Sequence, residues 1–433
     1  MKKLFTAISL FFSVLVLMPE KSSASHMAGA EIIYIYQGTP NSYLFRIKFY
    51  RDCAGIVPTV PMPLCVSSTS LGFSTIIYLN LVSQSVIPNP PCVNLPTPNC
   101  VPGFGGVGTE EYVCEALYTL PNAATDWIFS WSDCCRNGAI TTLTAGGMYV
   151  SATLDNVTAP TASTDNSPVF NFIPYTTFCV GYPFYYDQGA TDVDGDSLVF
   201  SLAAAQENNG CPSAPTNLQY LINTQTNLPY TPTQPVASSV PMTINQKTGV
   251  IYFIPSMQQV AVICVLVQEY DTSAHPAILK GTVKRDIQVV ITNQCNIVNP
   301  SFPPGPNSLT FYPIGDPTGA TAGPYYCGDN QFILPFVEKV QCGSIVPSDI
   351  RVLRSLGPFP NPVVSATPLA CPNGRTDSIL VTCLYPLSAG HNLVVIKTGN
   401  DGNSMLSQCG SAMQPFRDTV DVIINVLVYG SLQ

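Results

Sequence analysis

Apolar and polar positions alternate along the chain with a period of two, and no stretch sustains a helical period. Tyr43, Phe45, Ile47 and Phe49 share one face of an extended segment while Arg46 and Lys48 share the other, the pattern of a half-buried antiparallel strand. Trp127, Phe129 and Trp131 repeat it, as do Val283, Ile287, Val289 and Ile291, and Val420, Val422, Ile424, Val426 and Val428. Ile251 and Phe253 follow a Lys247-Thr248-Gly249 turn. The longest apolar run outside the N-terminus, Val260 to Val267, is too short to span a membrane and predicts a buried strand. Short strands between Pro, Gly, Asn and Asp clusters predict an all-β chain. They point to tandem Ig-like or cadherin-like antiparallel β-sandwiches, not a parallel sheet with crossover helices.

Polar, turn-rich residues from Thr158 to Pro168 and the proline-rich stretch Asn299 to Asn307 suggest boundaries. The expected units are an N-terminal sandwich over 26–160, a second sandwich over 161–298 and a C-terminal Ig-like sandwich over 299–433. Pro58 to Pro102 holds nine prolines with Cys65, Cys92 and Cys100 around an apolar strand near Ile76 to Leu81. It predicts long, disulfide-tied loops of the kind that carry recognition residues.

Lys2 and Lys3, an apolar run from Leu4 to Met18 and the small residues Ser22 to Ser25 have the layout of a signal peptide over 1–25. No transmembrane segment is expected after it. The chain of 433 residues is only 10% charged, 46% hydrophobic and formally −9, without a basic run. That excludes a disordered polyampholyte and the electrostatic footprint of a nucleic-acid binder. All 16 cysteines lie beyond the leader, there is no Cys-x-x-Cys, and the histidines are His26, His275 and His391 alone. An exported, disulfide-rich protein is the expectation, with no zinc cage. A ring between the neighbours Cys134 and Cys135 is strained, so each is expected to pair with a distant partner.

Several segments occur in an order that resembles a family. They are His26-Met-Ala-Gly-Ala-Glu-Ile-Ile-Tyr34, Phe49-Tyr-Arg-Asp-Cys53, Trp131-Ser-Asp-Cys-Cys-Arg-Asn-Gly138, Ala190-Thr-Asp-Val-Asp-Gly-Asp-Ser-Leu198 and Lys284-Arg-Asp-Ile287. The series resembles the N-terminal part of large secreted surface proteins of gliding Gram-negative bacteria, the PKD-domain or gliding-motility-associated proteins exported by type IX secretion. Cys327-Gly-Asp-Asn330, Val340-Gln-Cys-Gly-Ser-Ile345, Pro386-Leu-Ser-Ala-Gly390 and Gly399-Asn-Asp-Gly-Asn403 through Cys409-Gly410 are similar to a bacterial Ig-like domain found in the same proteins. The larger relatives end in a sorting domain, whereas this sequence stops at Tyr429-Gly-Ser-Leu-Gln433. The resemblance implies adhesion or matrix assembly at the cell surface or outer membrane, with other surface proteins or surface glycans as partners.

For chemistry, Asp192-Val-Asp-Gly-Asp196 places three carboxylates at alternate positions around Gly195. With Asp187 upstream, the set Asp187, Asp192, Asp194 and Asp196 is a candidate calcium site. It is not an EF-hand, because glycine falls at the fourth position and Ala203 at the twelfth. A turn whose Asp side chains cap backbone amides is the other reading, and it is the preferred one for Asn400-Asp401-Gly402-Asn403. Trp127 and Trp131 are expected in the core, while Tyr185 and Tyr186 are candidates for stacking on glycans. No Gly-x-Ser-x-Gly elbow, His-Glu-x-x-His or phosphate-cradling loop occurs. The expectation is a non-catalytic protein, with a glycan-binding module or a secreted hydrolase as alternatives.

Overall fold

The structure, a computed structural model, describes residues 27–425 except 91, 101–105, 175, 209, 274, 303–324, 327, 355–359, 389 and 416–418. The leader expected over 1–25 and His26 lie outside the described residues. The protein is all-β: strands account for its regular structure, and the only helical elements described are single 3₁₀ turns. No helix among the described residues is long and apolar enough to cross a membrane.

Strands β1 (Met27–Tyr36), β2 (Ser42–Asp52), β3 (Met62–Ser68), β4 (Phe73–Ile87), β5 (Thr109–Thr119), β6 (Trp127–Asp133) and β7 (Met148–Leu154) pair in the order β1-β2-β5-β4-β3-β6-β7. The strand Ile278–Thr292 closes this path. It pairs with β7 through Gly281 to Val283 and, further along the same strand, with β1 through Asp286 and Ile287. Its other edge is taken by the hairpin partner Gln259–Asp271, which in turn pairs with Ser197–Ala203. A small sheet of Phe184–Tyr186, Ile251–Pro255 and Ser238–Ile244 lies in the same body.

The expected boundary at 160 therefore does not separate two sandwiches. One core runs from Met27 to Ile291, with Tyr34, Phe45, Trp127 and Phe129 packed in the same cluster as Phe178, Phe200, Phe253 and Ile287. The closing strand belongs to both halves and is buried on both faces, so the alternation read for Val283 to Ile291 is filled in by buried Lys284, Asp286 and Gln288. Both tryptophans are buried; Trp131 meets Phe49 edge-on at 5.2 Å. A second core, around Phe332, Leu334, Val352, Val381, Val394 and Val422, lies within the C-terminal unit. There one sheet contains Gln331–Gln341, Arg375–Cys383 and Val363–Pro368.

Buried ion pairs hold distant strands of this sparsely charged chain. Arg136 grips Asp286 with two hydrogen bonds of 2.8 and 2.6 Å, Arg285 contacts Glu31, and Arg51 pairs with Glu110 at 2.9 Å. Gly29 lets β1 approach the closing strand: a Cβ there would lie 2.6 Å from Ile287 Cδ1 and collide with the Asp286 carbonyl.

Six cysteine pairs stand at bonding distance: Cys53–Cys100, Cys65–Cys211, Cys92–Cys409, Cys134–Cys135, Cys179–Cys295 and Cys342–Cys371. Cys134 and Cys135 pair with each other, against the expectation of distant partners. Cys135 takes a positive φ of 77°, a backbone state uncommon for a residue other than glycine. Two bridges cross the expected units, Cys65–Cys211 and Cys92–Cys409. The latter ties the Pro-rich loop after β4 to the C-terminal unit across 317 positions. Cys114, Cys264 and Cys383 are buried and free, and Cys327 lies outside the described residues.

Candidate functional site

Among the described residues, the closing strand carries a cluster of ionisable groups at a β-bulge. Glu269 pairs with Gly281 and Tyr270 with Leu279, which leaves Lys280 as the extra residue of the longer strand. A bulge re-aims its side chain, and Lys280 turns inward with no exposed side-chain surface. Its Nζ contacts Asp165 Oδ1, donates to Asp196 Oδ2 at 2.6 Å and lies 3.7 Å from Glu269 Oε1.

Asp165 reaches this point from outside the sheet. It follows a 3₁₀ turn at Ala162–Thr164, and the next two residues are laced to β1. The Tyr34 amide donates to Ser167 Oγ at 2.9 Å, the Ser167 amide returns to the Tyr34 carbonyl at 3.0 Å, and the Tyr36 amide donates to Asn166 Oδ1 at 2.8 Å. The Tyr34 hydroxyl donates to Asp165 Oδ2 at 3.2 Å. It fits there because residue 281 is glycine, where a Cβ would come within 2.5 Å of that oxygen.

Of the four residues expected to bind calcium, Asp194 and Asp196 come together with Asp165 and Glu269, their carboxylate oxygens all within 4.8 Å of one another. Asp192 and Asp187 do not join them. Asp192 Oδ1 accepts the amides of Asp194 and Asp196 at 2.9 and 3.0 Å, and Asp187 Oδ1 accepts that of Gly189 at 2.8 Å. Both act as turn caps. Asp194 is held by Asn166, whose backbone amide and side-chain amide donate to it at 2.7 and 3.0 Å. The Lys280 ammonium lies against three of these four carboxylates, Asp165, Asp196 and Glu269, and so balances part of their charge.

The electrostatics follow from burial. Desolvation raises the Glu269 carboxyl far above the usual carboxylate range, and the neighbouring Asp165 charge adds to it, which favours its neutral form. Desolvation also raises Asp165, although hydrogen bonding to Lys280 opposes the shift. For Lys280 desolvation disfavours the charged form, but contact with Asp165 and Asp196 outweighs it and holds the ammonium above its ordinary value. The site thus places a buried amine, a carboxylate and a neutral carboxylic acid in mutual reach.

Other candidates are dispersed. His275 is exposed, and His391, also exposed, contacts Asp421 at the surface. Tyr186 is buried; Tyr185 leans on Tyr252 with ring centroids 4.8 Å apart, and its hydroxyl accepts from Asn403.

Sequence reasoning missed Lys280, Asp165 and Glu269. Glu269 did carry a signal, since it continues the inward parity of Val265 and Val267, where a carboxyl group needs a partner. Lys280 carried none, because the bulge that turns it inward is a property of pairing. No protein family matches the chain, and no curated protein is similar to it.

Proposed function

We propose that the protein is a non-catalytic structural or adhesion component, exported from the cell and acting at its surface, with other surface proteins or surface glycans as partners. The observation that carries this reading is the cross-linking. Cys65–Cys211 and Cys92–Cys409 tie segments 146 and 317 positions apart, and each such bridge stabilises by about 2–4 kcal/mol. Bridges of this kind persist outside the reducing cytosol. They suit a scaffold that must stay folded without chaperones. The ordered segments similar to the gliding-motility-associated surface proteins support the same location. Fractionation of the producing cells with protease shaving tests it. Protein in the surface or medium fraction, sensitive to shaving, is the expected result, and a cytosolic pool would overturn the reading.

Glycan binding is the second reading, favoured by a different feature from the one expected. Tyr78 on β4 and Leu117 on β5 are 59% and 65% exposed, leaving apolar side chains on the outward surface of the sheet. Saturable binding on a glycan array, lost in Tyr78→Ala, would establish it.

A further inference from the structure

We propose that Lys280 and Asp165 become joined by an amide, an intramolecular isopeptide cross-link that forms spontaneously with Glu269 as its acid–base group. Nζ and Oδ1 are in direct contact, and neither side chain has exposed surface. Glu269 is equally buried and lies 3.7 Å from the same nitrogen. A carboxyl group so placed keeps a proton to give.

The three groups are also held in place. Glu269 and Lys280 sit side by side on paired strands at the bulge, and Asp165 is fixed by the bonds that Ser167 and Asn166 make with β1. Oriented groups of this kind reach effective molarities of about 10⁵–10⁸ M, enough to drive a condensation that free amine and acid do not undergo in water.

The step balances without any co-reactant. The Lys280 ammonium passes one proton to the Asp165 carboxylate, giving amine and acid. The Nζ lone pair attacks Cγ of Asp165 while Glu269 donates a hydrogen bond to the carbonyl oxygen, stabilising the charge that builds there. Glu269 then delivers its proton to the departing hydroxyl and recovers one from the nitrogen. The C–N bond forms, the C–O bond breaks, and one water leaves past Asp196, the partly exposed member of the group. A buried ammonium and a buried carboxylate are replaced by a neutral amide, which removes the cost of keeping both charged. The product staples the closing strand to the segment ahead of the Asp192 loop, in addition to the disulfides.

The test is mass spectrometry of the full mature chain, denatured and fully reduced so that no disulfide contributes. The expected mass is one water below the sequence mass, with a branched peptide linking Asp165 to Lys280 after digestion. Asp165→Ala, Lys280→Arg and Glu269→Gln should each restore the full mass. The wild-type peptide map decides the matter even where a variant fails to fold. Separate, unmodified peptides for the two residues overturn the proposal. So does a water loss confined to Asp194–Gly195 or Asp401–Gly402, where the Asp-Gly bond can cyclise by itself.

Discussion

Arg136 and Asp286, 150 positions apart, form a bidentate ion pair in which both side chains are buried, and Cys264 Sγ donates to the same carboxylate at 3.1 Å. The pair clamps the segment after β6 to the strand that closes the ring. Removing one partner leaves the other charge buried and alone, which costs about 3–5 kcal/mol. Asp286→Ala should lower the denaturant midpoint accordingly. Replacing both residues by apolar ones of similar size should recover much of the loss, as read by equilibrium unfolding.

Gly29→Ala should open the contact between β1 and the closing strand. Its methyl group meets the backbone of Asp286, which cannot swing aside as a side chain would. Destabilisation of about 1–3 kcal/mol is expected, with faster hydrogen exchange at Ala30 and Ile287. Unchanged exchange there would contradict the closure.

Among the described cysteines three are free thiols. Burial pushes Cys114 and Cys383 up to about 11 and holds Cys264 well above its ordinary value, so none should react with iodoacetamide in the native protein at pH 8. After denaturation without reductant, Cys114, Cys264 and Cys383 should become alkylated and the twelve bridged positions should not. Extensive labelling of the bridged positions would count against an exported, oxidised protein.

Because the Lys280 ammonium already pairs with Asp165, Asp196 and Glu269, calcium should not be required for stability. The melting midpoint is expected to be the same in calcium and in chelator. A calcium-dependent rise that disappears in Asp194→Ala would restore the metal reading of the Asp192 loop.

Asp349 provides a pH signature in the C-terminal unit. It is fully buried, and desolvation raises it to about 7 although the Val346 amide donates to its Oδ2. The folded protein therefore binds this proton more tightly than the unfolded chain between about pH 4 and pH 7. The resulting stability is present at the acid end and is lost as pH rises through about 7. Asp349→Asn should flatten the dependence, narrowing the difference in unfolding free energy between pH 5 and pH 8 by about 1–3 kcal/mol.

Much of the architecture was legible because alternation is a local property. The face of Tyr43, Phe45 and Ile47, the buried run at Val260 to Val267 and the core position of Trp127 all follow from it. Closure of the ring was not legible, since the pairing of Gly29 with Ile287 depends on residues that leave no mark near one another. Glu31, Arg51, Arg136, Arg285 and Asp286 each stood inside a segment that drew attention as a motif. Their buried pairs supply the physical reason, for a charge amid apolar strand residues must be matched. The Asp192 loop was half legible: spacing brought Asp194 and Asp196 to one place, while Asp192 and Asp187 turned to their own backbone amides.

The strand shared by the two halves also governs the order of assembly. Until Thr292 is available, β1 and β7 are raw sheet margins, and Arg136 lacks its counter-ion Asp286. A chain threading through a pore N-terminus first would thus stay pliable over most of its first two units. It would then lock late and cooperatively, once the last strand slots in and completes the core that the two halves share.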